Sequence, residues 1–192
     1  MDDLKKKIRI YGVKNGLLLG IAVVLLTIIS FYFITGFTKS PLLFIAAPIT
    51  LRVLIPIAIV VALCFRMRTQ IGGLWTFKQA TTGIFIIFVT AYFINIIGID
   101  IVFYKFVEPD SAQKTQTAAI NMKTNLMKTT GAGQKDIDAA IVDMKKDMSP
   151  NKDGSVVNIL MGYGFVILFL FVFALIFSAL LRNAEYAPAA KQ

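Results

Sequence analysis

Two ionisable side chains, Arg52 and Asp100, fall inside long apolar stretches of this sequence. A charge held at the centre of a bilayer costs about 2.5–3.5 kcal/mol on insertion scales, so such residues pair with each other or reach for the interface. An arginine and an aspartate at one depth on neighbouring helices would neutralise each other. Asn95, one and a half turns before Asp100, would extend the pair toward a polar path. Other acids are closely spaced, Asp136 with Asp138 and Asp143 with Asp147. They stand among lysines on an amphipathic segment and read as a solvated helix face. The sequence has no histidine and one cysteine, Cys64. No Ser-His-Asp set, zinc-type cluster or intrachain disulfide can be assembled from that inventory. Cys64 reads as packing. No catalytic, cofactor-binding or metal site is expected.

The elements that must position these residues are set by composition. Of the 192 residues 57% are apolar, against about 45–50% for a soluble domain. The excess gathers in four blocks, residues 17–37, 42–65, 81–103 and 156–181. Each approaches or exceeds the roughly 20 residues that span a ~30 Å hydrocarbon core. Only a helix satisfies every backbone amide and carbonyl within one such segment. The predicted fold is therefore an all-α integral membrane protein with four transmembrane helices. Its predicted parts are a basic lead-in (1–16), spans 1–3 (17–104), an extracytoplasmic helical hairpin (105–155), span 4 (156–182) and a tail (183–192). The first block is longer than a signal-peptide core and no Ala-x-Ala-like site follows it, so it is expected to be retained.

Charge placement orients the chain. The net charge is +9. Lys5, Lys6, Lys7, Arg9 and Lys14 precede span 1, and the loop from Arg66 to Gln79 is basic and free of acids. The long segment 105–155 balances eight lysines against seven acids. Short basic loops face the cytoplasm by the positive-inside rule, which places both termini inside, in a bacterial cytoplasmic membrane. The charge thus points to the bilayer surface as its partner and not to nucleic acid.

With that orientation depth can be counted. Arg52 lies fourteen residues before Arg66, roughly 21 Å above it at 1.5 Å per residue. Asp100 lies five residues before Lys105 at the outer end of span 3. Both fall in the outer leaflet, so an Arg52–Asp100 ion pair is predicted, against the alternative that each snorkels outward alone. A second feature is glycine spacing. Gly12, Gly16 and Gly20 recur every four residues on one face of span 1, where another helix can approach closely. That helix is expected to come from the same chain, or from a second copy in a homo-oligomer.

Local signals fill in the rest. Pro48 and Pro56 interrupt span 2. Gly72-Gly73 reads as a turn, Trp75 as an interfacial anchor, and Thr76 as the N-cap of span 3. Asp110 or Ser111 is placed to cap a helix running to about Lys128, and Thr129–Gly133 to break it. Ile137, Ile141, Met144 and Met148 form one apolar stripe on the next helix. Ser149-Pro150-Asn151 ends that helix, and Asp153-Gly154 turns into span 4. Ala174 and Ser178 form a small pair that can seat span 4 against a neighbour.

Several of these stretches resemble a known family. They are Arg66-Met67-Arg68 through Gly72-Gly73, Trp75-Thr76-Phe77-Lys78-Gln79-Ala80, the 104–110 exit with Pro109, Met148-Ser149-Pro150, and residues 175–182. The chain is similar through them to the bacterial four-helix membrane proteins catalogued as domain of unknown function 4199. That resemblance implies a topology and no catalytic residues.

The leading functional expectation is a non-catalytic membrane scaffold or accessory subunit of an envelope complex, with a membrane-protein partner or a homo-oligomer. The alternative is a small oligomeric transporter or channel with a polar path near Arg52, Asn95 and Asp100. A membrane enzyme handling a lipid-linked phosphate ranks third.

Overall fold

The structure, a computed structural model, describes residues 2–38, 40–73, 75–147 and 156–181. Among these every regular element is a helix. Asp2–Tyr32 (α1) widens at its end through Phe33–Phe37. Pro41–Ile49 (α2), a wide turn Thr50–Leu54 and Ile55–Gln70 (α3) make the second rod. Phe77–Asn95 (α4) continues as a π-helical stretch, Ile96–Val107. Ser111–Thr129 (α5) and Gln134–Asp147 (α6) form the hairpin, and Val156–Leu181 (α7) is the last helix. Four spans, Asp3–Phe37, Pro41–Gln70, Phe77–Val107 and Met161–Leu181, are long and apolar enough to cross a membrane. The fold is that of a multi-pass helical membrane protein. α1 starts at Asp2 and runs through the lead-in 1–16 into span 1 without a break. The expectations for Met148, Ser149-Pro150-Asn151, Asp153-Gly154, Arg182 and the 183–192 tail lie outside the described residues.

The wide turn in span 2 has a local cause. Pro56 has no N–H to offer the Arg52 carbonyl, and its ring crowds that carbonyl. Ile55 N–H reaches back five residues to the Thr50 oxygen instead. The same reach recurs where Thr38 N–H bonds the Phe33 oxygen at 3.1 Å and Glu108 N–H bonds the Phe103 oxygen at 2.7 Å. Each extra residue in a turn rotates everything beyond it by about 100°.

Helix ends follow their chemistry. Gly72 at φ +111° closes α3, with Gly73 N–H on the Arg68 oxygen and Gly72 N–H on the Thr69 oxygen. Gly131 at φ +80° closes α5 with the same pair of bonds, Ala132 to Met127 and Gly131 to Lys128. Both are Schellman caps, which need the left-handed conformation that glycine adopts without strain. Thr76 and Gln79 open α4 reciprocally. Gln79 Oε1 accepts from Thr76 N–H at 2.8 Å, and Thr76 Oγ1 accepts from Gln79 N–H at 3.4 Å. This is a capping box. Asp110 takes the N-cap position of α5 but makes no capping bond with its side chain.

The chain divides into two compact units. The first holds Met1–Ala22, Ile57–Asn95 and Val156–Gln192. Its core draws Ile8 and Leu19 from α1, Cys64 and Met67 from α3, Ile84 and Ile87 from α4, and Ala174 from α7. Within it α7 runs antiparallel to α4, with Trp75 near Leu181, Phe85 against Phe171 and Tyr92 against Tyr163. The small pair Ala174 and Ser178 is fully buried, and Ser178 Oγ donates to the Ala174 carbonyl.

The second unit holds Val23–Pro56 and Ile96–Ser155. Its core centres on Phe31, Ile99 and Phe103, with Val24, Ile28 and Tyr104 packed around them. Phe31 and Phe103 meet edge to face at 5.2 Å, a favoured aromatic geometry. In the hairpin α5 packs on α6, burying Met122 and Ile137, with Ile141 and Met144 half-buried. The described residues of the α6 stripe, Ile137, Ile141 and Met144, are thus buried or half-buried.

Candidate functional site

The glycine face of span 1 meets α4 of the same chain. A β-carbon on Gly12 would lie 2.9 Å from Ile86 Cγ2, on Gly16 2.6 Å from Thr90 Cβ, and on Gly20 2.6 Å from Ile94 Cβ. The partner advances by four as the glycine does, so the two helices run parallel in register. The second unit shows the same offset, where Val24 fills the space at Gly98. Close approach of this kind replaces hydrophobic drive as the attraction between helices in lipid. With α4 seated on it, this face is not open to a second copy.

Arg52 and Asp100 do not form the predicted ion pair. Both side chains are exposed, and among the described residues no salt bridge joins them. Their neighbours explain why. Val53 and Leu54 beside Arg52, and Ile97 and Ile101 beside Asp100, are exposed large apolar side chains, so both charges sit on outward faces. Arg52 lies in one wide turn and Asp100 in another. A depth counted along each span does not bring two residues together unless the helix faces also agree. Asn95 is half-buried at the end of α4.

A different polar cluster stands at the end of span 3. Tyr32 Oη donates to Glu108 Oε1 at 3.0 Å, and Lys114 Nζ donates to Glu108 Oε2. The clamp joins the last α-helical residue of α1, the residue just past span 3, and the first turn of α5. It borders an open groove of about 540 Å³ that also touches Thr35, Asp110 and Gln113. The Lys114 ammonium holds the Glu108 carboxyl below the usual carboxylate range, helped by the Tyr32 hydrogen bond. The same carboxylate pushes the Lys114 ammonium up.

A family model described as Protein of unknown function (DUF4199) matches residues 14–183, most of span 1 and all of the other three. The chain belongs to the DUF4199 family. No curated protein and no solved structure matches it.

In this DUF4199 chain the Glu108 carboxylate has both oxygens engaged, one by a neutral donor and one by a cation. A carboxylate so held stays ionised, which suits a structural clamp and not a proton donor. The sequence carries a faint signal for it, since Glu108 and Lys114 flank the Pro109-Asp110 corner that starts α5. Nothing in the sequence pairs either with Tyr32.

Three further contacts of the DUF4199 chain escape sequence reading. Asn15 is 3% exposed, and its amide nitrogen donates to Gln70 Oε1 at 3.3 Å, tying α1 to α3. Its place three residues after Gly12 puts it on the glycine face, a visible hint. Trp75 is 3% exposed, and its indole nitrogen donates to the Leu181 carbonyl at 3.3 Å. It satisfies one of the carbonyls that every helix C-terminus leaves without a partner. Arg68 Nε, meanwhile, donates to the Gly73 carbonyl at 2.7 Å and braces the α3–α4 turn.

Proposed function

We propose that this DUF4199 protein is a non-catalytic membrane scaffold or accessory subunit of an envelope complex. The carrying observation is the hairpin. The described part of its apolar stripe, Ile137, Ile141 and Met144, is buried or half-buried, and the Tyr32–Glu108–Lys114 clamp fixes the start of α5 to the ends of spans 1 and 3. Among the described residues two large apolar side chains remain outward on it, Leu126 at 47% and Val142 at 65% exposure. A fixed polar platform with apolar points is suited to holding a partner protein. The transporter alternative has less support, because Arg52 and Asp100 stand apart on outward faces.

The protein sits in a bacterial cytoplasmic membrane with both termini inside and the hairpin outside. Cysteine placed at Gly131, in a Cys64→Ser background, should react with an impermeant thiol reagent on intact cells. Reaction only after the membrane is breached would reverse the orientation. Purification of wild type and of Leu126→Asp/Val142→Asp from native membranes tests the function. A stoichiometric partner present with wild type and lost with the variant supports it. A homo-oligomer with a water-filled central path, unchanged in the variant, would favour transport.

A further inference from the structure

We propose that the cleft between the start of α1 and the start of α4 is a binding site for a phosphate ester, supplied by the headgroup of an anionic phospholipid. The cleft has a volume of about 390 Å³ and is lined by Lys5, Arg9, Thr76, Lys78 and Thr82, with Gln79 beside them. Among the described residues three cations line this one cavity and no acid does. Asp3, on the same stretch of α1, is engaged with Lys7 at 3.5 Å one turn along. The cleft thus presents the positive charge of Arg9 and Lys78 and the hydroxyl of Thr76, while the Thr82 hydroxyl donates to the Lys78 carbonyl at 2.9 Å.

Backbone electrostatics act in the same direction. The first turn of α4 opens at the cleft, and a helix N-terminus carries partial positive charge from amides that lack intrahelical partners. The capping box occupies the Thr76 and Gln79 amides. Ala80 N–H bonds the Thr76 oxygen at 2.9 Å. Among the described residues no partner occupies the amides of Phe77 and Lys78, the first two of α4, which stand beside the ammonium of Lys78 itself. An arginine adds a planar fork of donors, which matches a phosphate better than a point charge does.

Position identifies the source of the phosphate. The apolar block of span 1 starts at residue 17 and that of span 3 at residue 81, so Arg9 and Lys78 stand at the polar edge of the hydrocarbon. Leu4 and the buried Ile8 line the cleft with apolar surface. Phe77, 40% exposed, adjoins it in sequence. Lipid phosphates lie at that depth, where basic pockets between helices take anionic headgroups. A free phosphate offers the same charge but has no acyl chain for the apolar surface.

The test uses the full chain purified in a neutral detergent. Its thermal midpoint is read after addition of phosphatidylglycerol, phosphatidylcholine or inorganic phosphate, and bound phospholipid is counted by native mass spectrometry. Phosphatidylglycerol should raise the midpoint and be retained, while phosphatidylcholine should do neither. Arg9→Gln and Lys78→Gln should each weaken apparent binding by about fivefold. Arg66→Gln, a basic control outside the cleft, should leave it unchanged. Since Arg9 and Lys78 are exposed, both variants should fold; a variant that does not is replaced by Thr82→Val, read by lipid retention alone. A shift reproduced by inorganic phosphate would keep the phosphate site and overturn the lipid as its source. Equal loss in Arg66→Gln, or equal response to the two lipids, would overturn the site. None of these outcomes depends on the scaffold reading or on orientation.

Discussion

Gly16 lies so close to Thr90 that a β-carbon at position 16 would stand 2.6 Å from Thr90 Cβ and 2.8 Å from the Ile87 carbonyl oxygen. The second distance matters more, because a helix carbonyl cannot rotate away as a side chain can. Gly16→Leu must therefore push α1 and α4 apart. Overpacking of this kind costs about 1–3 kcal/mol, and the thermal midpoint in detergent should fall accordingly. Gly36→Ala, with nothing within 4 Å of its added carbon, should leave it nearly unchanged. Equal midpoints for the two variants would refute close packing of spans 1 and 3.

The clamp predicts a pH window. Glu108 is held below its ordinary value, so its contribution is present above about 4.3 and lost as pH falls through the depressed value. Lys114 is raised, so its contribution is present below about 10.4 and lost as pH rises through the raised value. Proteolysis at the start of α5 should stay slow and flat between these limits and accelerate outside them. Glu108→Gln should remove the acid limb and raise the rate at neutral pH. An unaltered profile in that variant would show that the clamp does not hold the hairpin.

Trp75 is the only tryptophan, so it reports its own environment. Its emission should be blue-shifted and resist quenching by iodide, since the ring is 3% exposed. Trp75→Phe keeps the aromatic volume but strands the Leu181 carbonyl, at about 0.5–1.5 kcal/mol. Red-shifted emission with ready quenching would place the ring at the water interface, as an anchor and not a cap.

Arg52 and Asp100 should behave independently. Asp100→Asn and Arg52→Gln, each on an exposed face, should change stability by no more than about 0.5 kcal/mol. The double variant should equal their sum within about 0.3–0.5 kcal/mol. A double variant markedly more stable than either single one would mean that the two charges do meet.

Sequence alone determined the number of spans, because a bilayer demands about 20 apolar residues per crossing and helices are the economical way to satisfy their backbones. It determined the helix stops at Gly72 and Gly131 and the N-cap at Thr76, since those depend on residues a few positions apart. It marked the glycine face of α1 and the places of Arg52 and Asp100 along their spans, both of which follow from a fixed rise and repeat. Tertiary structure alone decided which helix fills that face, and that it is α4 running parallel with Thr90 opposite Gly16. It also decided that Arg52 and Asp100 turn outward. The wide turns at Thr50–Leu54 and Ile96–Val107 shift the faces of spans 2 and 3 by amounts that hydropathy does not register. The clamp of Tyr32, Glu108 and Lys114 belongs to the same class, because its first two members are 76 positions apart and meet only through packing. Depth is a sum along one chain segment, whereas facing is a relation between segments, and only the packed helices supply it.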